Sequence, residues 1–445
     1  MFTRDLRVHD NPVLHAAAAA AETVIPLFVL DETIGRSGFN RPNRAAFLAD
    51  CLHDLDRGLR GLGARLVVRG GEPAEEVARL AAEHDVAEVH VAADVSGYAL
   101  RRERALRERL ASARRQLRVH ETVTTVVPPG AVTPSGGDHF AVFTPYHRHW
   151  SAAPKRQVLA PPERLRLPRV QAGRLPSGEE ICPGPAAPDL PRGGESLARQ
   201  LLAAWAEGPA ADYADRHDDL AADGTSRLSP HLHFGTLSPT ELCWRTWRQS
   251  PEFVRQVAWR DFHHQVLAAR PRCAVEDYRT KHDRWRGDAG ELAAWREGRT
   301  GYPIVDAGMR QLRREGWMHN RARMIVASFL TKTLYHDWRE GARHFTDLLV
   351  DADVANNQLN WQWVAGTGTD SRPNRVLNPL LQAERYDPRG EYVRRYLPEL
   401  ADVPGPQAHR PWTLPADQRR ALDYPEPIVD LRAGADRFLT ARGKR

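Results

Sequence analysis

DADVANNQLNWQWVA, residues 351–365, is the stretch from which the rest of the chain is read. Asp353, Asn357 and Trp361 stand four residues apart, a spacing that stacks them on one face of a helix. An acid, an amide and an indole make a poor core stripe, because a buried carboxylate or amide needs a partner. They suit the lining of a flat ligand with polar edges. Trp363, two residues after Trp361, projects roughly the other way. A plainer reading stays open at this point: a helix capped by Asp353, with one Trp packed inside and the other half exposed.

Outward from this stretch the helical pattern continues. LARQLLAAW (197–205), FVRQVAWRDFHHQVLAA (253–269) and MIVASFLTKTL (324–334) carry apolar residues three and four apart. From Ser196 onward there is no strand alternation, so this half is expected to be all-α. The first part reads differently. VIPLFVL (24–30), ARLVVR (64–69), AEVHVAA (87–93) and LRVHET (117–122) are short apolar runs. Helical segments 43–62, 73–84 and 98–112 separate them. Such alternation predicts a doubly wound parallel sheet covered on both faces. The Pro- and Gly-rich segment after Val127 reads as a surface-crossing linker, interrupted by the aromatic cluster FAVFTPYHRHW (140–150), which is expected to dock on a domain. The expected divisions are 1–126 (α/β), 127–194 (linker), 195–430 (all-helical) and 431–445 (a basic, mobile tail).

Composition sets the bounds. At 445 residues, 42% hydrophobic and 27% charged, the chain is globular and can bury a large core. Lys plus Arg total 63 against 57 acids, a balance that permits a phosphate-bearing partner without requiring one. Cys51, Cys182, Cys243 and Cys273 form no CxxC pair, so neither a zinc site nor an iron–sulfur cluster is expected. The apolar run 16–21 is too short to span a membrane and lacks the flanking charge order of a signal peptide. A cytoplasmic protein with reduced thiols is expected.

Six strings in order, FTRDLRVHDNP (2–12), DGTSRLSPHLHFGTLSP (223–239), WMHNRARM (317–324), DADVANN (351–357), NWQW (360–363) and TGTD (367–370), resemble the photolyase/cryptochrome family of blue-light flavoproteins. The resemblance spans roughly Phe2 to Leu400. One departure stands out: family members usually open with an apolar strand before the first string, and this chain has none. A misassigned start codon is the expected reason, and neighbouring strand edges would be exposed without that strand. Arg4, Asp5, Arg7 and Asp10 would sit at the mouth of the sheet, where solvated loop charge explains them as well as a binding role does.

The resemblance implies bound FAD. Thr225, Ser226, Leu228 and Ser229, with Arg227 in the same string, match the residues around the FAD diphosphate, and Tyr213 matches a further flavin contact. Read without the family, this string is only a helix cap. Asp351 and Asp353 match acids at the ribityl and isoalloxazine edges, Arg323 an arginine paired with the first of them, and Asn357 the residue opposite flavin N5. An Asp at that place could protonate N5; an amide cannot readily do so. Trp361, Trp338 and Trp285 match the family's electron relay from flavin to surface. For Trp361 the helical stripe is independent support; Trp338 and Trp285 rest on the match alone. Gln256, Trp259, Asn320, Arg321, Met324, Trp363 and Gln382 match lesion or DNA contacts.

The implied activity is light-driven repair of cyclobutane pyrimidine dimers in UV-damaged DNA by a flavoenzyme acting as a monomer, with the damaged bases flipped out of the duplex, as the general account of base flipping gives for photolyases. A second chromophore, a deazaflavin or a folate, is expected in the α/β half. Asn320 after His319 favours cyclobutane dimers over (6-4) photoproducts, whose enzymes tend to carry a second His there. Gln256 stands where many dimer enzymes have Glu, and it cannot be anionic. The alternatives are a cryptochrome-type receptor and a (6-4) enzyme.

Overall fold

The structure, a computed structural model, describes residues 1–444. Four strands lie in the first 120 residues: β1 Leu27–Asp31, β2 Val67–Gly71, β3 Glu88–Ala92 and β4 Gln116–His120. Helices Pro42–Gly61, Pro73–Glu83 and Gly97–Ser112 cross between them. Each apolar run is short and ends at a turn, so it extends rather than coils. Pro42 and Pro73 sit in helical first turns, where the missing N–H costs nothing. Ser96 caps the third helix by accepting from Ala99 N.

β1 pairs in parallel with β2 from Leu27↔Val67 onward, and β3 with β4 from Glu88↔Gln116. Among the described residues no ladder joins the two pairs. Between them stand Met1, whose amino group donates to His90 O at 2.8 Å, and Phe2, whose N–H donates to Leu27 O at 2.7 Å. A cavity of about 290 Å³ lined by Met1, Phe2, Leu27, Val77, Leu80 and Val89 opens beside them. The expected doubly wound sheet is thus realised as two separate parallel pairs with Met1 and Phe2 between them.

The loop after Phe2 is not a solvated mouth. Asp5, Arg7 and Asp10 are fully buried. Arg7 donates to the carbonyls of Asp10, Val123 and Gly235, and Asp10 accepts from Arg156 and Ser238. Glu195, at the head of helix Glu195–Glu207, accepts from the N–H groups of Val8 and His9. These charges are therefore structural staples between the two halves.

The aromatic cluster docks as expected. Helix Phe143–Ala152 buries Phe143, Tyr146 and Trp150. The Trp150 indole donates to Asp261, which also accepts from Val126 and Val127 N–H. Among the described residues, all structure beyond 194 is helical or irregular, apart from one isolated bridge, Arg286↔His336. The stretch expected to be a mobile tail is corrected: Leu431–Ala441 is a helix capped by Asp430, with Phe438 fully buried. The periodic Leu431, Phe438 and Leu439 outweigh the basic residues around them. Arg445 lies outside the described residues.

Candidate active site

A cavity of about 460 Å³ opens in the helical half, within the range of about 300–1,000 Å³ typical of ligand sites. Tyr213, Thr225, Ser226, Arg227, Leu228, Ser229, Gln256, Trp259, Asn320, Arg323, Met324, Asp351, Asp353, Asn357, Trp361 and Trp363 all line it. Residues spread over some 150 positions of sequence thus converge on one wall system.

One wall is the loop of the DGTSRLSP string. Asp223 (φ +49°) and Arg227 (φ +51°) adopt the left-handed conformation, which winds the loop tightly. Helix Ser229–Phe234 follows it, and its first turn has no side-chain cap, so its N–H groups remain free for an acceptor. The Thr225 hydroxyl is buried with no hydrogen-bond partner. Such an orphan calls for a partner, and with the uncapped N–H groups it fits the oxygens of a diphosphate. Ser229 is engaged instead: its hydroxyl donates to Asp351 at 2.5 Å and accepts from the Trp317 indole at 3.1 Å.

A second wall is helix Val354–Ala365. Asp353 caps it, accepting from Asn356 N at 2.8 Å. Arg323 donates to both oxygens of Asp351, at 3.1 and 2.8 Å, so this acid has the partner its burial demands. Asp353 is held differently. Arg4 donates to it at 2.5 Å, to Asp94 at 3.2 Å and to the His233 carbonyl at 3.0 Å. Burial pushes the Asp353 carboxyl up, but Arg4, with Arg260 beyond it, outweighs it and holds the acid well below the usual carboxylate range. His263, also on the wall, is pushed down to about 4 by burial and is therefore neutral at pH 7. Asn357 uses both of its amide hydrogens, one on Ala342 O at 3.0 Å and one on Thr346 Oγ1 at 3.1 Å. The carbonyl can only accept, which fixes the amide orientation. Asn357 consequently has no N–H left for a ligand.

Aromatic residues form the rim. Trp259 stacks on Phe143 with centroids 3.7 Å apart and planes 7° from parallel, which leaves its other face for the cavity. Trp363 carries the Arg375 guanidinium 5.8 Å above its ring. Trp361 is 2% exposed and meets Phe345 (4.9 Å) and Trp295 (6.0 Å) edge to face.

Four of the expected residues lie outside the cavity lining. Trp338 is fully buried, its indole N–H on Asp277 at 2.8 Å. Trp285 is partly buried and packs on Tyr335. Arg321 forms a two-pronged pair with Asp218 and lies 4.3 Å over the Tyr386 ring, so its guanidinium is already engaged within the protein. Gln382 sits on helix Pro379–Tyr386 with its side-chain oxygen buried and unpaired. Sequence reasoning named Arg4 without telling a buried role from a solvated one, and it missed Arg260, His263 and Trp317. Trp317 opens the quoted WMHN string and was legible; the others carry no local signal.

The chain matches the family described as DNA photolyase over residues 1–166 and the FAD binding domain of DNA photolyase over residues 253–444. It is 60% identical to the deoxyribodipyrimidine photo-lyase of Streptomyces griseus, across 100% of this chain and 98% of that protein. Its fold superposes on a bacterial class III photolyase from Agrobacterium tumefaciens with a TM-score of 0.92 at 34% identity, covering 99% of this chain and 96% of that one. It also superposes on an archaeal photolyase from Sulfolobus tokodaii with two FAD molecules, with a TM-score of 0.86 at 31% identity, covering 100% and 99%.

Proposed function

The chain belongs to the DNA photolyase family, and on that premise we propose that it repairs cyclobutane pyrimidine dimers in DNA, using light and FAD. The observation that carries the reading is the single cavity that brings the uncapped DGTSRLSP loop, the two partnered acids and a rim of Trp259 and Trp363 onto one ligand. Bound, reduced FAD supplies light absorption and a transferable electron.

The protein's part is to bind, orient and exclude water. Thr225, Ser226, Leu228 and the first-turn N–H groups hold the diphosphate; Tyr213 and Arg227 flank it. Ser229 and Arg323 fix Asp351, and Arg4 fixes Asp353, so both acids accept hydrogen bonds from the ligand without moving. Asn357, its own hydrogens engaged, presents no proton to the nearby ring edge. Trp259, stiffened by Phe143, and Trp363 sandwich the flipped dimer. Gln256 and Asn320 hydrogen-bond its carbonyl and imide edges, and Met324 supplies adaptable apolar contact. Arg321 and Gln382 lie outside the cavity; Gln382 is assigned a DNA contact beside it, and Arg321 contacts the DNA backbone only by giving up part of its pairing with Asp218. Trp361, Trp338 and Trp285 carry electrons inward. The protein acts as a monomer on UV-damaged DNA, and a second chromophore belongs to the α/β half. Among the described residues no helix is long and apolar enough to cross a membrane, and no cluster of metal ligands is present.

The test is repair of a single cyclobutane thymine dimer in an oligonucleotide under anaerobic blue light, with dithionite-reduced protein and a dark control. Light-dependent reversal is expected. No reversal with FAD bound and reducible would overturn the reading, and a (6-4) substrate run beside it separates that enzyme from a receptor.

A further inference from the structure

The outermost Trp of the relay has an aromatic neighbour that the repair reading leaves unused. The Trp285 ring lies 5.0 Å, centroid to centroid, from Tyr335. Tyr335 is 4% exposed, and it holds a left-handed backbone (φ +62°). That conformation is rare for a bulky side chain and persists only where the surroundings impose it. It lies two residues beyond the π-helical segment Phe329–Thr333, a feature often found at functional sites. The Tyr335 hydroxyl donates to Asp283 at 3.0 Å. The Asp283 side chain is 1% exposed, and Arg442 donates to both of its oxygens at 2.7 and 2.8 Å.

A phenol beside a one-electron carrier, with its proton aimed at a buried carboxylate, is an arrangement for coupled loss of an electron and a proton. We propose that Tyr335 is the terminal electron donor of the Trp361–Trp338–Trp285 file, and that Asp283 is the base that receives its phenolic proton. The proposal rests on the relay reading above. The step balances. Oxidised Trp285, an indole radical cation, gains one electron and becomes neutral indole. Tyr335 loses that electron; its O–H bond breaks, and the proton moves to Asp283. The products are a neutral phenoxyl radical and a neutral carboxylic acid beside Arg442, so net charge is unchanged. A small thiol, as one-electron reductant, later restores the phenol.

The coupling has a physical consequence. Burial pushes the Tyr335 phenol up to about 12, so it is protonated at neutral pH and the proton must leave with the electron. An oxidised phenol is a far stronger acid than any carboxylic acid, so transfer to Asp283 is downhill even with Arg442 on the carboxylate. Once the proton has moved, the electron cannot return to Tyr335 unless the proton returns too, which delays charge recombination. The structural alternative is that Tyr335, Asp283 and Arg442 merely clamp helix Leu431–Ala441 to the core.

The test uses the oxidised FAD-loaded protein, flashed with blue light in H2O and in D2O and followed by transient absorption and freeze-trapped electron paramagnetic resonance. The expected wild-type result is an indole radical signal that gives way to a phenoxyl signal, more slowly in D2O. Tyr335→Phe should lose the phenoxyl signal while keeping its thermal midpoint. Asp283→Asn keeps the phenol and should slow the conversion by about 100-fold, the low end of what a positioned base contributes; a mere clamp would not impose this. Phenoxyl persisting in Tyr335→Phe, or indole signal with no phenoxyl successor in the wild type, overturns the assignment while leaving the relay standing. Photoreduction that survives Trp361→Phe overturns the relay itself, and the assignment with it.

Discussion

Arg4→Met isolates the link between the N-terminal loop and the candidate active site. In the wild type the Arg4 side chain is 23% exposed, against 8% for Asp94 and 6% for Asp353. The substitution keeps most of the side-chain volume and removes the charge, leaving two buried carboxylates with less than they need. Breaking a buried pair costs about 3–5 kcal/mol, whereas an exposed pair contributes about 0–1 kcal/mol. Partial exposure of Arg4 puts the expected cost at the lower bound, about 3 kcal/mol, or about 150-fold in the unfolding equilibrium. The assay is urea unfolding of wild type, Arg4→Met, Asp353→Asn and the double variant. Asn is chosen because it still caps the helix. In the Asp353→Asn background the Arg4 substitution should cost at least about 2 kcal/mol less, the coupling expected of groups in contact. The pH dependence has a definite sign. The Asp353 carboxyl is held well below the usual range. Its contribution is therefore complete above the unfolded value of about 4 and is lost as pH falls below it. The gap between wild type and Arg4→Met should be flat near neutrality and should narrow on acidification below that point. A cost under about 1 kcal/mol, or one that Asp353→Asn leaves unchanged, would refute the reasoning.

Other substitutions probe the remaining walls. A Cβ at Gly341 would collide with Cη2 and Cζ3 of Trp361; Gly341→Ala should cost about 1–3 kcal/mol of stability and, in a photoreduction assay, lower the yield by displacing that ring. Trp361→Phe should abolish photoreduction of oxidised enzyme yet leave repair by dithionite-reduced enzyme; loss of both would make Trp361 structural. Asn357→Asp would place an ionisable proton where the amide has none to give, so repair should slow and the flavin spectrum during photoreduction should change; identical spectra would count against the role given to Asn357. Burial pushes His231, His263, His264, His319 and His344 down to about 4. Between that value and the unfolded value of about 6.5 the unfolded chain binds more protons, so stability should fall as pH drops from 6.5 to 4 in urea titrations. A flat profile over that window would overturn those assignments.

What could be read from sequence follows from the range of the interactions involved. The Asp353–Asn357–Trp361 face depends only on helical periodicity, and it was legible from spacing four. The four strands were equally legible, because each is a short apolar run between turns. The Arg323–Asp351 pair, 28 residues apart, came from the family match and not from any local pattern. Arg4 and Asp353 are 349 residues apart, and nothing in FTRDLRVHDNP distinguishes a buried guanidinium from a solvated one. The C-terminal helix was misread because a count of basic residues hides those that are not solvated: the Arg442 side chain is 4% exposed and spends its charge on Asp283, and Nη1 of Arg437 is buried as well. The two Trp farther from the cavity could not be placed from sequence, since neither shares a helix with Trp361.

The loop 3–11 ties together two halves whose sequence patterns differ. Gly235 takes φ +69°, and a Cβ there would overlap Arg4 O, so the end of helix Ser229–Phe234 can approach the loop only as glycine. At that contact Leu6 N–H donates to Phe234 O at 3.3 Å and Arg7 to Gly235 O at 2.9 Å. Helix Ser229–Phe234 begins at the cradle of Thr225–Ser229 and ends on the N-terminal loop. The same loop carries Arg4 to Asp353 on the second wall. Both walls of the cavity therefore take their position from one buried segment that precedes the sheet. Removing the α/β half would leave Glu195 without the two N–H groups it accepts from and Asp353 without its cation. The site is thus built by the interface between the halves as much as by the helices that line it.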